Sequence, residues 1–496
     1  MRAEPLSLSS IDPDTAKLLG HEYSVKYQAL PIRREHEHLW VAMAEPDNSA
    51  VLADLSDMTG LFIMPVMARA EDIRRWINQL LNTDAISTIE SQFLVDAQLD
   101  HRTDIQSPEL LAEISDAPAV RLIDSIIESG ILNRASDIHI EPYGNSLRTR
   151  CRIDGILCTY SHVDISLLPN VISRLKIMGG MDISEKRRPQ DGRFTMSLHG
   201  EAVEFRLSTM PTTLGEKAAL RLLHDQAKLL AKDELGFFPD DLKRLTDLFN
   251  KPYGAIFITG PTGSGKSTTL NSFIAELNQE GVNIVTVEDP VENPIIGVNH
   301  VNVERVAGFS FASALRHILR QDPDIIMIGE IRDEETARIA VQAATTGHVV
   351  LSTLHTNDAA GVIERLIDMG IEPYLSASAL IGVISQRLVR RICEKCAVPA
   401  ALSSRHAQVL GISQSVKIFE GKGCESCANT GYKGRLAVYE YINIDENMHR
   451  DMSMRPYEFA AELRKHNAFK ENAVRHLLAG NTTAAEIVKI LNHHHM

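Results

Sequence analysis

Residues Gly260, Pro261, Thr262, Gly263, Ser264, Gly265, Lys266, Ser267 and Thr268 satisfy the pattern G-x-x-x-x-G-K-[ST], and no other stretch of the chain constrains its fold as tightly. The pattern carries information only between a strand and a helix. Ahead of it, Ala255-Ile256-Phe257-Ile258-Thr259 is a short branched apolar run that reads as a buried parallel strand. Behind it, Leu270, Phe273, Ile274 and Leu277 recur at helical spacing. Glycines let successive backbone N–H groups turn inward around phosphate oxygens, and the helix N-terminus adds positive potential for the same anion. Lys266 is then placed to reach the β- and γ-phosphates, and the Ser267 hydroxyl to ligate Mg²⁺.

Strand candidates at 255–259, 283–287, 325–328 and 349–352 alternate with helical stretches across residues 231–392. That alternation implies a parallel, doubly wound α/β sheet with its ligand at the strand C-termini. Glu288 follows the second of these strands and Glu330 the third. Glu330 is the first candidate to hold the Mg²⁺ shell or position an attacking water, and Glu288 the second candidate for a base. The alternative is that one of the two carboxylates only caps the next helix. His348 and His355 bracket the fourth strand and are read together as sensors near the γ-phosphate. Arg316 and Arg320 lie four apart on one helix face, either as a surface pair or at an interface sensing phosphate.

A chain of 496 residues exceeds what one core supports, so three or four domains are expected. The net charge of -14 argues against a nucleic-acid partner. No apolar run approaches the roughly 20 residues that span a bilayer, and no leader pattern opens the chain, so a location at the cytosolic face of a membrane or in the cytosol is expected. Of the six cysteines, Cys151 and Cys158 fall in a strand-like region, while Cys393, Cys396, Cys424 and Cys427 form two C-x-x-C pairs. Four thiolates at that spacing suit a tetrahedral Zn²⁺. The loop between the pairs is longer than the roughly 15–20 residues common in zinc ribbons, which costs little closure entropy.

The flanking sequence divides further. Residues 1–81 read as a small α+β docking domain, with strands at Tyr23–Pro31 and Leu39–Ala44, and helices at Ser49–Thr59 and Ala70–Leu81. Residues 82–117 read as an acidic linker. Residues 118–230 form a second α+β module that opens with a helix over Val120–Ser129, stopped by Gly130, and continues in strands with one wet face. Asp137, His139 and Glu141 share a strand face at metal-like spacing, although a solvated face is the preferred reading. Arginines cluster at 187, 188 and 193, with Arg206 and Arg221 further on. On an acidic protein this points to an anion such as a nucleotide phosphate held across a domain or subunit boundary. Residues 393–440 form the tetracysteine subdomain and 441–496 a helical region.

Taken together, the glycine loop, Val287-Glu288-Asp289-Pro290, Arg320-Gln321-Asp322-Pro323-Asp324, Gly329-Glu330-Ile331-Arg332-Asp333, Thr346-Gly347-His348, Ser352-Thr353-Leu354-His355-Thr356-Asn357 and the tetracysteine resemble the type II/type IV secretion ATPase superfamily. The likeness runs from about residue 118 to the C-terminus and leans toward the type II secretion ATPases, with pilus-assembly (extension) ATPases as near neighbours. It implies a RecA-like P-loop core preceded by a PAS-like α+β domain. It implies a hexamer with ATP and Mg²⁺ between the second module and the core, where Arg206 and Arg221 contact phosphate and Arg316, Arg320, Arg332 and His348 act as sensors or interface residues. Lys266, Glu330, Glu288 and His355 become the catalytic set, and Zn²⁺ the structural metal. The first module is then expected to dock on the cytoplasmic domain of an inner-membrane protein (GspL-like), with a GspF-like platform protein as a further partner, and hydrolysis to drive pseudopilus assembly and protein export. Two positions depart from the pattern: His300 stands where many relatives carry Gln, and Asn271 where many carry Tyr. The first module lacks the Arg-Leu-Gly repeats of relatives that bind cyclic di-GMP, so that ligand is not expected. An ATP-gated scaffold that hardly turns over and a nucleic-acid motor are the competing readings.

Overall fold

The computed structural model describes residues 11–80, 108–198, 201–223, 229–303 and 308–494. The chain divides into two compact units, Met1–Asp225 and Gln226–Met496. The acidic stretch expected at 82–117 lies outside the described residues as far as 107.

In the first unit, α1 (Pro13–Ala16), α2 (Gly20–Tyr27), β1 (Ala29–Glu35), β2 (His38–Met43), α3 (Ser49–Thr59), β3 (Phe62–Met67) and α4 (Ala70–Leu80) build a small module. β1 and β2 are antiparallel, β2 and β3 parallel, so α3 is the crossover between the parallel pair. The side chain of Asn48 caps α3 at its start, and Gly60 ends it in the left-handed region at φ 67°. The strand expected from Tyr23 is corrected: residues 20–27 are helical and the strand begins at Ala29. Tyr23 and Tyr27 sit one turn apart with rings stacked at 6.5 Å, so two strand-favouring residues support a helix face instead.

The second module opens with α5 (Pro108–Leu132), which starts earlier than Val120 and passes through Gly130. Gly130 is no stop signal. A Cβ there would lie 2.5 Å from Ile138 Cδ1, so the glycine lets the helix approach the sheet. β4 (Ala135–Tyr143), β5 (Ser146–Ile153), β6 (Ile156–Asp164), α6 (Leu168–Met178), β7 (Gln190–Leu198), β8 (Glu201–Thr212) and β9 (Gly215–Leu223) follow. The six strands form one antiparallel sheet in the order β6-β5-β4-β9-β8-β7. Ile138, Ile140, Phe205, Leu207, Leu220 and Leu222 turn to the core shared with α5 and α6, and the alternate residues carry the charge.

The second unit contains α7 (Pro239–Phe249), β10 (Gly254–Thr259), α8 (Lys266–Leu277), β11 (Ile284–Glu288), β12 (Asn299–Asn302), α9 (Phe311–Ile318), β13 (Ile325–Ile328), α10 (Glu334–Thr345), β14 (Val349–Leu354), α11 (Gly361–Asp368), α12 (Pro373–Ala379) and β15 (Leu380–Ile392). Then come β16 (Ala397–Ala400), α13 (Ser404–Leu410), β17 (Ile418–Gly421), β18 (Tyr432–Asn443), α14 (Glu446–Met454), α15 (Pro456–Arg464), α16 (Ala468–Leu478) and α17 (Ala484–His494). The main sheet runs β12-β11-β13-β14-β10-β15-β18, parallel throughout except for the antiparallel β15–β18 pair. Ala255 and Phe257 join the apolar cluster on one face, while Ile256 and Ile258 join the cluster on the other. Burial on both faces explains why β10 reads as an unbroken apolar run. The chain leaves this sheet at Cys393 and returns to it at Tyr432, so β18 is an edge strand of the core. Among the described residues, no helix is long and apolar enough to cross a membrane.

Candidate nucleotide site

β10 ends at Thr259 and the chain reverses through three glycines with positive φ: Gly260 at 139°, Gly263 at 77° and Gly265 at 87°. At Gly260 the requirement is also steric, since a Cβ would lie 2.3 Å from the Gln386 carbonyl oxygen. α8 then begins at Lys266, whose Nζ donates back to the carbonyls of Gly260 (2.9 Å) and Pro261 (3.2 Å) across the mouth of the loop. Burial lowers the Lys266 pKa, and the Glu330 carboxylate opposes that shift. Ser267 is exposed beside it.

The next strands deliver the acidic and imidazole groups to the same end of the sheet. Glu330 leaves β13 with Oε1 2.5 Å from Arg332 Nη2 and Oε2 3.5 Å from His355 Nε2. His355 follows β14. Burial and the Lys266 charge hold it below the ordinary imidazole range against the pull of Glu330. Lys266, Glu330, Arg332 and His355 therefore form one electrostatically linked group.

Side-chain tethers keep those strand ends together. Thr259 Oγ1 accepts from the Thr356 backbone N–H at 2.9 Å and lies 2.7 Å from Thr356 Oγ1. Thr353 Oγ1 donates to the Gly329 carbonyl at 2.7 Å. Gln386 of β15 braces the phosphate loop from beneath, its Nε2 donating to Ser264 O at 2.9 Å and its Oε1 accepting from Thr269 Oγ1 at 3.1 Å. Sequence reasoning missed Gln386 because nothing local marks it, and it quoted Thr259 and Thr356 within their motifs without giving either a role.

Glu288 ends β11, which pairs directly with β13, and it is buried. Its Oε1 accepts from Thr286 Oγ1 at 2.7 Å and lies 3.0 Å from His300 Nδ1. His300 thus enters the site's structure, although the sequence marked it only as a departure from the family pattern.

His348 requires a correction. Val349, its neighbour, pairs with Gly254 at the start of β10, whereas Leu354 pairs with Thr259 beside the phosphate loop. His348 therefore stands at the opposite end of β14 from His355, too far for the paired sensing role. Its Nδ1 lies 3.1 Å from the Ala343 carbonyl at the end of α10. Arg316 and Arg320 are exposed. Arg316 pairs with Glu335, and Arg320 donates to the Arg316 carbonyl at 2.9 Å. The structure brings neither into hydrogen-bond contact with the phosphate loop.

In the first unit, cross-strand register aligns Arg193, Arg206 and Arg221 on adjacent strands, with Asp137 next in the row. Arg221 Nε donates to Asp137 Oδ1 at 3.0 Å. Arg206 Nε is buried with no hydrogen-bond partner among the described residues. Like charges directly opposed across a sheet cost stability, so this row is suited to an anion. The Asp137, His139 and Glu141 face is an ion-pair lattice, with Glu141 bridging Arg148, Arg150 and Lys217. Those contacts outweigh its burial and lower its pKa to about 2.

The four thiols of Cys393, Cys396, Cys424 and Cys427 converge within 4.8 Å of one another. Neighbouring sulfurs lie 3.7, 3.8 and 3.9 Å apart. Tetrahedral Zn–S bonds of about 2.3 Å place sulfurs about 3.8 Å apart, so the donor set fits the ion.

The type II/IV secretion system protein family model matches residues 112–489, and an MshEN domain model matches residues 2–86. The type IV pilus assembly ATPase PilB of Thermus thermophilus is 41% identical over 490 residues, covering 96% of this chain and 54% of that protein. The chain thus spans about half the length of that relative. The type II secretion system protein E of Aeromonas hydrophila is 43% identical over 390 residues, 78% of either chain. Among solved structures, the Legionella pneumophila ATPase DotB aligns with a TM-score of 0.55 at 22% identity, covering 75% of this chain and 96% of that one. At that identity the likeness bears on the fold alone.

Proposed function

The chain belongs to the type II/IV secretion system protein family, and from that premise we propose that it is a Mg²⁺-dependent ATPase driving pseudopilus assembly and protein export by a type II secretion system. The observation that carries this reading is the convergence of Lys266, Glu330, Arg332 and His355 over the phosphate loop. On binding ATP, Lys266 exchanges its two carbonyl partners for phosphate oxygens. Ser267 and Glu330 would hold Mg²⁺, which would supply charge neutralisation at the phosphates. Glu330 orients the attacking water and Glu288 serves as the second carboxylate able to take its proton. His355, 3.5 Å from Glu330, donates or accepts a hydrogen bond near the γ-phosphate.

Arg206 and Arg221 complete the site from the second module across a subunit boundary in a homo-hexamer, with the exposed Arg316 and Arg320 at the interface. The first module docks on a GspL-like cytoplasmic domain, with a GspF-like platform protein nearby, at the inner-membrane face. Zn²⁺ at the four cysteines is structural. A second reading, type IV pilus extension, rests on the 41% identity to a PilB, although type II secretion system proteins E also match over 95–96% of this chain at 37% identity.

The test is ATPase rate against protein concentration, with and without the membrane partner's cytoplasmic domain. A specific activity that climbs with both supports sites completed between subunits, and a flat rate overturns the motor. Deleting the gene in its host and scoring secreted enzymes and surface pili in parallel then separates the two readings.

A further inference from the structure

We propose that His300 is a positioning residue for Glu288, acting as a neutral imidazole with its proton on Nδ1. The inference rests on the reading of Glu288 as a proton-accepting carboxylate. β12 is an edge strand of four residues, and its register places His300 directly beside Thr286 of β11. The backbone N–H of Ile295 donates to His300 Nε2 at 2.9 Å. A backbone N–H cannot accept, so Nε2 is the unprotonated nitrogen and Nδ1 carries the hydrogen. That Nδ1–H faces Glu288 Oε1 at 3.0 Å and Thr286 Oγ1 at 2.8 Å.

The Thr286 hydroxyl has one hydrogen and donates it to the same carboxylate oxygen at 2.7 Å. Among the described residues both side-chain contacts therefore fall on Oε1, and Oε2 is the oxygen assigned to take a proton. The ring and the carboxylate are only 10% and 11% exposed, so water does not compete effectively for these bonds. The ring orientation is imposed from the segment ahead of β12. Ile295 is buried, and the segment is pinned at Ile296 O by Asn278 Nδ2 (2.7 Å) and at Val291 N by Asn302 Oδ1 (2.7 Å). His300 thus ties a fixed backbone amide to one oxygen of a buried carboxylate.

Glutamine is the one other side chain of similar reach that offers a donor and an acceptor together. Its amide can take the Ile295 N–H on Oε1 and donate to Glu288 from Nε2. Alanine offers neither.

The experiment measures kcat, nucleotide KM and the binding of a fluorescent ATP analogue for the full chain and for E288Q, H300A, H300Q and E288Q/H300A. Loss of the carboxylate in E288Q lowers kcat by about 100-fold or more. H300A lowers kcat by about 10-fold or more with analogue binding unchanged, and H300Q recovers the rate to within about threefold of the parent. The double variant is no slower than E288Q, because the two residues act as one unit. Parent activity in E288Q overturns the reading of Glu288 and the positioning role with it. Loss in E288Q alongside full activity in H300A, or equal losses in H300A and H300Q, or multiplicative losses in the double variant, overturns the His300 inference alone.

Discussion

The side-chain amide of Gln386 donates to the carbonyl of Ser264 across 2.9 Å, joining β15 to the middle of the phosphate loop from a position 122 residues away in the chain. The same amide accepts from Thr269 Oγ1 on α8. Gln386 is fully buried, so neither of its partners can turn to water. Replacement by Ala leaves a buried hydroxyl and a buried carbonyl without their partner, which costs about 1–3 kcal/mol. Q386A is expected to lower the melting temperature and weaken nucleotide binding. Q386E is expected to do worse, since it points an acceptor at the Ser264 carbonyl. Thermal melts with and without nucleotide check both.

Glu330 separates a motor from a scaffold. E330Q keeps the shape of the side chain but weakens its hold on Arg332 and, on the proposed role of Glu330, on the attacking water. The expected outcome is nucleotide binding near the parent value and a kcat lower by about 100-fold to 10,000-fold. K266A is expected to abolish binding outright, because no other cation spans the loop mouth between Gly260 and Pro261 among the described residues. Export supported by E330Q at parental levels would mean that binding suffices and turnover is incidental.

The four thiols predict about one zinc per chain. Elemental analysis of protein purified without chelator checks the stoichiometry, and C424S is expected to lose the metal. The excursion between β15 and β18 returns to the core sheet through Tyr432. Metal removal is therefore expected to lower the melting temperature of the second unit rather than only loosen an appendage.

His476 makes stability fall with acid. Burial, with help from the Arg475 charge, pushes its pKa down to about 4. Its folded pKa lies below the unfolded value, so the neutral ring contributes in full above about pH 6.5. That contribution is lost as the pH falls from there toward 4, and a displacement of this size corresponds to about 3 kcal/mol. The ring lies 4.3 Å from that of Phe238, and H476F keeps an aromatic there without a proton to bind. Melting curves from pH 7 to 4.5 are expected to fall less steeply for H476F than for the parent.

Much of the site was legible in the chain because its parts are contiguous. Three glycines, a lysine and a serine within nine residues dictate a loop by local backbone freedom alone, and the apolar run before them dictates a strand buried on both faces. The two cysteine pairs likewise announce their own geometry. The first-module helix at 20–27 and the passage of α5 through Gly130 were misread for one reason: single-residue preference yields to packing, as in the stack of Tyr23 on Tyr27 and the close approach to Ile138.

Other features became visible only when strands were laid in register. His348 and His355 bracket one strand and so lie at its opposite ends, but only register shows that the His355 end is the one beside the phosphate loop, where it meets Glu330. Arg221 finds Asp137 84 residues away, and the row of Arg193, Arg206 and Arg221 exists only across three neighbouring strands. Sequence by itself determined the backbone of the glycine loop, because a turn with its amides facing inward is a local structure. The tertiary fold alone decided which side chains brace that loop and which oxygen of Glu288 meets Thr286 and His300, because those contacts depend on strand order and register.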